Sequence, residues 1–140
     1  MKILVGQPLM LACLGEARLL AGQFDGAAEA ADRALSLSQQ QQERGHEAWA
    51  LRLLAEICSR QEPPDCAVAE ARYRQALTLS QALEMRPLVG RCHFGLGVLH
   101  RQTGRQKDAK ECLTTAMAIF RELEMEFWLE QAKAEIRELG

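Results

Sequence analysis

The sequence predicts an all-α protein in which helical hairpins stack into a solenoid. Three observations support this prediction. The pairs Leu14-Gly15, Leu54-Ala55 and Leu96-Gly97 recur at intervals of 40 and then 42 positions. Glycine, proline and capping residues divide the 140-residue chain into segments of helix length. No segment alternates apolar and polar residues over more than a few positions, as a half-buried strand would. A period of this size is typical of repeat proteins, whose repeats stack to bury a continuous core.

Alanine columns define the register of the repeats. They have the same two intervals, 42 and then 40 residues: Ala27, Ala69 and Ala109, and also Ala34, Ala76 and Ala116. Because two antiparallel helices approach closely only where small residues meet, we expect Gly15 to face Ala27. We therefore predict one domain over residues 1–140, with three hairpin repeats at about 8–44, 46–85 and 87–124 and a capping helix at about 127–139.

Local signals indicate where the helices begin and end. In the first repeat, Gly22 ends the first helix, because glycine tolerates the left-handed conformation, and Asp25 caps the second. In the second repeat, Pro63-Pro64 cannot continue a helix, and Asp65 caps the next one.

The third repeat begins and ends on similar signals. Pro87 suits the first turn of a helix, and Gly104 ends that helix. The capping helix that follows aligns Trp128, Leu129 and Ala132 on one face. Its remaining positions are mostly charged, as expected for a helix that closes a solenoid towards water.

Composition excludes several classes of function. Hydrophobic residues make up 48% of the chain and charged residues 26%, which indicates a globular protein. The 17 basic and 19 acidic side chains provide no basic surface for nucleic acid or anionic lipid. No apolar run approaches the ~20 residues of a membrane span. We therefore expect neither a nucleic-acid nor a membrane partner.

Residues that carry chemistry are not grouped as an active site requires. The five cysteines form no Cys-x-x-Cys pair, and the three histidines do not cluster with them, so we expect no metal site. A phosphate-binding loop, an H-E-x-x-H motif and a nucleophile elbow are all missing. The sequence predicts a protein without enzymatic activity or cofactor. Its odd number of cysteines is typical of a reduced, cytoplasmic protein.

The repeats resemble the tetratricopeptide repeat. The residues that carry the resemblance are Leu14-Gly15, Gly22, Phe24, Ala27 and Ala34-Leu35 in the first copy, and Leu96-Gly97, Gly104, Ala109 and Ala116 in the third. The middle copy departs from the pattern, with Ala55 for the glycine and a longer turn. The period of about 41 residues also exceeds the 34 residues of the family.

A narrower resemblance covers the C-terminal part of the chain. Residues 83–135, including Arg91-Cys92-His93-Phe94 and Phe127-Trp128-Leu129-Glu130, are similar to the C-terminal repeats of large bacterial signalling proteins. Those proteins carry a nucleotide cyclase or a regulatory ATPase domain upstream. The resemblance implies a regulatory module of a bacterial signalling system.

The family resemblance implies a scaffold that binds a protein or peptide in a concave groove. The first helix of each hairpin lines that groove. The residues expected there are Glu16, Leu19, Leu20, Trp49, Arg52, Glu56, Ser59, Arg60, Arg91, Phe94, Val98, Arg101 and Gln102. Their mixture of arginine and apolar side chains favours an acidic peptide with hydrophobic anchors. A charged stripe that merely solvates a helix face is the other interpretation.

Other functions remain open at this point. The apolar N-terminal edge, Met1–Val5 and Leu9–Leu11, has no polar covering and predicts an association surface, which includes a homo-oligomer of this chain. The same edge loosely resembles a lipoprotein signal, but Gly6, Gln7 and Pro8 interrupt its apolar stretch. A further alternative is a domain that closes around a small ligand. Binding of that kind requires an enclosed apolar pocket.

Overall fold

The computed structural model describes the backbone of residues 7–61 and 63–139, and the side chains of the same residues except 7–10 and 12. This part of the chain contains seven α-helices and no strand. The helices are α1 (Gln7–Leu20), α2 (Phe24–Gln40), α3 (Arg44–Arg60), α4 (Cys66–Ala82), α5 (Arg86–Gln102), α6 (Gln106–Glu122) and α7 (Glu126–Glu138). The all-α hairpin architecture predicted from the sequence is confirmed.

One form of turn joins most of the helices. Its middle residue has a positive φ, between 56° and 82°, at Gly22, Gln42, Glu84, Gly104 and Glu124. The next residue is the N-cap of the following helix, and its N–H donates to the carbonyl oxygen five residues earlier at 2.8–2.9 Å. This bond is the signature of the Schellman motif, which satisfies carbonyl groups at the end of a helix.

Four of the predicted signals at helix ends are confirmed. Gly22 and Gly104 follow α1 and α5 with φ of 78° and 82°. Pro87 lies in the first turn of α5. The cap at Asp65 is also confirmed, because its Oδ1 accepts a hydrogen bond from Val68 N–H at 3.2 Å.

The predicted cap at Asp25 is wrong. The N-cap of α2 is Gln23, which makes no side-chain capping bond, and Asp25 already lies inside the first turn. The turn between α1 and α2 is too short for Asp25 to precede the helix. Ala27 N–H donates to Gln23 O at 2.9 Å, so helical bonding begins at the residue directly after Gly22.

The described residues group into two compact units, with the boundary between Leu79 and Ser80 in the last turn of α4. In unit 1, the part up to Leu79, α1, α2 and α3 pack against one another. The core there includes Leu19, Ala27, Ala31, Leu53, Leu54 and Ile57. A Cβ at Gly15 would lie 3.3 Å from Ala27 O, so the predicted approach of these two residues is confirmed.

In unit 2, the part from Ser80 onward, α6 packs against both α5 and α7. The core between α6 and α7 consists of Ala116, Phe120, Leu129 and Ala132. Gly97 permits the close contact of α5 and α6, since a Cβ there would lie 2.6 Å from Leu113 Cγ. Small residues thus set the spacing of a hairpin in this unit as well.

Part of the predicted N-terminal edge lies outside the described residues. This applies to Met1–Val5 and to the side chains of Leu9 and Met10. Leu11 is described, and it packs against Ala34 and Ala50 in the core of unit 1. Leu11 is therefore partly buried against the core and is not a fully exposed edge residue.

No helix in the described ranges has both the length and the apolar character that a membrane crossing requires.

Candidate protein-interaction surface

The candidate surface consists of side chains on the first helices of the hairpins. In unit 1 these helices are α1 and α3, and in unit 2 the helix is α5. Of the predicted residues, Leu20, Arg60 and Gln102 are exposed. The half-buried ones are Glu16, Trp49, Glu56, Ser59, Arg91, Phe94, Val98 and Arg101. The remaining two, Leu19 and Arg52, are buried.

Arg52 occupies the core of unit 1 instead of the surface. Only 3% of its side chain is exposed. Its guanidinium group donates to Glu56 Oε2 at 2.8 Å within α3 and to Glu16 Oε1 on α1. The same group lies over the ring of Trp49, 5.5 Å from its centroid. Since two carboxylates of its own chain already hold this arginine, we no longer expect it to bind the carboxylates of a partner.

Leu19 is also unavailable to a partner. It belongs to the core cluster with Ala27 of α2 and Leu53 of α3. The next residue, Leu20, points away from that core and is 81% exposed. Adjacent residues on a helix point about 100° apart, and this rotation separates the two leucines.

Arg60 is the most exposed arginine of the predicted set, at 49%. It lies in the last turn of α3, and its Nη2 is 3.6 Å from Glu56 Oε1. An exposed ion pair of this kind is weak and is screened by salt. Arg60 can therefore exchange Glu56 for a carboxylate of a partner at little cost.

An aromatic cluster surrounds the candidate residues of unit 2. Phe94 of α5 lies 5.7 Å from the ring of Trp128 and 6.4 Å from that of Phe120, centroid to centroid. The guanidinium group of Arg91 stacks on Trp128 at 4.3 Å. Such contacts stabilise a packed arrangement of α5, α6 and α7. Phe94 is therefore partly a core residue, and less of it is available as an anchor than the sequence suggests.

Arg101 is held by the capping helix. Its Nε donates to Glu135 Oε2 on α7 at 2.6 Å. Both side chains are half-buried, so a partner would have to displace Glu135 to reach the guanidinium group. Gln102, the next residue, is exposed at the end of α5.

Sequence reasoning missed two ion pairs between helices, one that links α1 to α3 and one that links α5 to α7. Glu16 and Arg52 are 36 residues apart, and Arg101 and Glu135 are 34 residues apart. These separations are four and six residues shorter than the 40-residue spacing of the helices that they link, which is between one and two helical turns. A search for opposite charges at separations of 34–36 residues would have included both pairs.

Two titratable groups near this surface have shifted pKa values. Burial raises the pKa of the Cys58 thiol in α3, and the charge of Asp65 adds to the effect. Burial lowers the pKa of His93 in α5. Both shifts favour the neutral form, so neither side chain offers a charge to a partner near neutral pH.

The exposed candidate groups on these helices are suited to non-covalent contacts. Within the described ranges, no three His, Cys, Asp or Glu side chains come close enough to hold a metal ion. The exposed candidate groups are an arginine, an amide and an aliphatic side chain. Groups of these types form ion pairs, hydrogen bonds and apolar contacts with another chain.

One of two comparisons with known proteins finds a match. The family model described as tetratricopeptide repeat matches residues 64–122, which contain α4, α5 and α6. A comparison with curated protein sequences finds no match.

Proposed function

We propose that this chain is a non-enzymatic scaffold that binds a protein or peptide segment along the first helices of its hairpins. The match of residues 64–122 to the tetratricopeptide-repeat family model supports this proposal. Repeats of this family generally mediate protein–protein interaction and are typically not catalytic. The proposal adds the location of the binding surface and the character of the partner.

The exposure of Leu20 and Arg60 carries the proposal. These residues lie at the C-terminal ends of α1 and α3, and both are among the residues predicted to face the groove. Leu20 is 81% exposed, although the burial of a leucine is favourable. A large apolar group combined with a weakly paired arginine is a combination that interfaces favour.

The partner we propose is an acidic segment with an apolar anchor. Glu56 already pairs with Arg60 in unit 1, and Glu135 already pairs with Arg101 in unit 2. A partner carboxylate therefore exchanges with an internal one. Exchange at Arg60 is the easier of the two because its ion pair is longer and more exposed.

We further propose, from the sequence resemblance alone, a regulatory role in a bacterial signalling protein of the cytoplasm.

The test is a peptide array probed with the purified 140-residue chain. One half of the array contains acidic peptides with one or two Leu or Phe anchors. The other half contains the same peptides with Lys in place of the acidic residues. We expect binding to the acidic half, and we expect Arg60→Glu to weaken it at least tenfold.

A matched control distinguishes the proposed surface from a general charge effect. Arg74 of α4 is 57% exposed and pairs with Glu70 one turn away at 2.9 Å, much as Arg60 pairs with Glu56. Arg74→Glu changes the net charge equally and should leave binding unaltered. Equal losses in the two variants, or no peptide bound at all, would contradict the proposal.

A further inference from the structure

One side of α1 is apolar and open at every described position. It consists of Cys13, Leu14, Ala17, Leu20 and Ala21, all of them exposed. Positions three and four apart lie on the same side of a helix, so these residues form one continuous surface, called here the α1 face. Ala21 directly follows α1 and continues its geometry, since its N–H donates to Ala17 O at 3.1 Å.

The corresponding surface of α3 is covered by another helix. The 40-residue repeat spacing places Leu54 and Ile57 where α1 has Leu14 and Ala17. Leu54 is 6% exposed and belongs to the core cluster that includes Ala27 and Ala31 of α2. Leu14, by contrast, is 42% exposed. The α1 face thus has the character of a surface onto which a helix packs.

The order of residues on the α1 face is symmetric about Ala17. Leu14 and Leu20 lie three residues to either side, and the small residues Cys13 and Ala21 lie four residues to either side. If two such helices run antiparallel across a two-fold axis at Ala17, Leu14 of each copy meets Leu20 of the other. This is the self-complementarity that a symmetric dimer interface requires.

The size and charge of the residues on the α1 face also favour an antiparallel pair of α1 helices. Ala17 at the axis lets the two helix backbones approach closely, as small residues do within the hairpins of this chain. The α1 face has no charged residue, so two copies meet without like-charge repulsion. From these observations we infer that the α1 face binds a second copy of this chain, in an antiparallel α1–α1 pair with its two-fold axis at Ala17.

This inference does not rest on the proposed function. Leu20 belongs both to the α1 face and to the surface of the proposed function, so the test uses Ala17, which belongs to the α1 face alone. One helix face per copy is smaller than the ~800 Å² per partner of a standard interface. The dimer should therefore be weak, with a dissociation constant on the order of 10–100 µM.

Sedimentation equilibrium of the full chain from about 5 to 500 µM, a range that brackets the expected dissociation constant, tests the inference. The mass should rise from 15.6 kDa towards twice that value as the concentration increases. Ala17→Glu places two like charges at the two-fold axis and should weaken the dimer at least tenfold. Ala118→Glu, at an exposed alanine in the C-terminal half of α6, should leave it unchanged.

Cross-linking tests the position of the axis directly. In a Cys13→Ser background, Ala17→Cys places one thiol at the two-fold axis, where copper phenanthroline should oxidise it to an inter-chain disulfide. Ala118→Cys in the same background should give no such dimer. A chain that stays monomeric throughout the concentration range would overturn the inference. A dimer that is insensitive to Ala17→Glu would do so equally.

Discussion

The residues with positive φ in the turns share a conformation but differ in side chain. Gly22 and Gly104 adopt it without a Cβ, whereas Gln42, Glu84 and Glu124 adopt it at φ of 56–57° with one. For an L-residue other than glycine this region costs about 1 kcal/mol. The Schellman hydrogen bond that follows, such as Met125 N–H to Phe120 O at 2.8 Å, offsets part of this cost.

Replacing one of these residues by glycine should therefore stabilise the protein. For Glu124→Gly we expect an increase in the free energy of unfolding of about 0.5 kcal/mol, since the relief of backbone strain exceeds the extra entropy of the unfolded chain. Urea denaturation followed by circular dichroism measures the change. Lys110→Gly, at an exposed position inside α6, is the control and should destabilise by about 1 kcal/mol. A loss of stability in Glu124→Gly would show that the turn is not strained.

At the scale of the helices, Arg52 links α1 to α3. It is buried between Glu16 and Glu56, and its Nε–H is buried with no acceptor among the described residues. A charge in this position is stable only while both carboxylates accompany it. The two glutamates, in turn, are partly exposed and can be solvated.

Removal of the Arg52 side chain should destabilise unit 1 substantially. We expect Arg52→Ala to cost about 3 kcal/mol, because it leaves two carboxylates close together and a cavity beside Trp49. Arg52→Met should cost less, because it fills the space and removes the unsatisfied Nε–H. The control is Arg86→Ala, which breaks an exposed ion pair between α5 and α6 at 2.7 Å and should cost under about 1 kcal/mol. Thermal or urea unfolding compares the three variants, and equal effects of Arg52→Ala and Arg86→Ala would contradict the role given to Arg52.

The helices themselves could be predicted from the sequence because their signals are local. Proline, glycine and Asp65 act within one turn of the helix end that they mark, and α4 and α5 begin close to the predicted positions. The partners of side chains could not be predicted in the same way. Whether Leu19 or Leu20 faces the core depends on the side of α1 against which α2 and α3 pack, and that contact is not local.

The candidate surface was predictable only in part for the same reason. The family pattern indicates which helices carry the surface, and Arg60 and Gln102 are exposed as expected. Arginine residues are mostly exposed in proteins, so a buried Arg52 contradicts the general tendency. Its burial becomes understandable only when Glu16, 36 residues earlier, is brought beside it.

At the scale of the whole molecule, the prediction of one domain over residues 1–140 can be tested by unfolding. The two tryptophans are natural reporters, since Trp49 lies in unit 1 and Trp128 in unit 2. In the single-tryptophan variants Trp128→Phe and Trp49→Phe, fluorescence follows each unit separately. We expect the same urea midpoint from both reporters, because a single domain of this size unfolds in one transition.

The variant Arg52→Ala makes this test sharper. Added to each single-tryptophan variant, it should lower the midpoint reported by Trp128 as much as that reported by Trp49, although Arg52 belongs to unit 1. If only the Trp49 midpoint moves, the units unfold independently and the chain consists of two domains.

The uniform turns have one more consequence. Five of the six connections between described helices are the same three-residue motif, and only the connection from α3 to α4 is longer. If a copy of one hairpin were inserted at Gln42, the turns before and after the inserted hairpin would both be of this same three-residue type. Such a chain can lengthen in steps of about 40 residues without inventing a new junction. Duplication can therefore change the number of hairpins in this architecture while the turns between them keep the same structure.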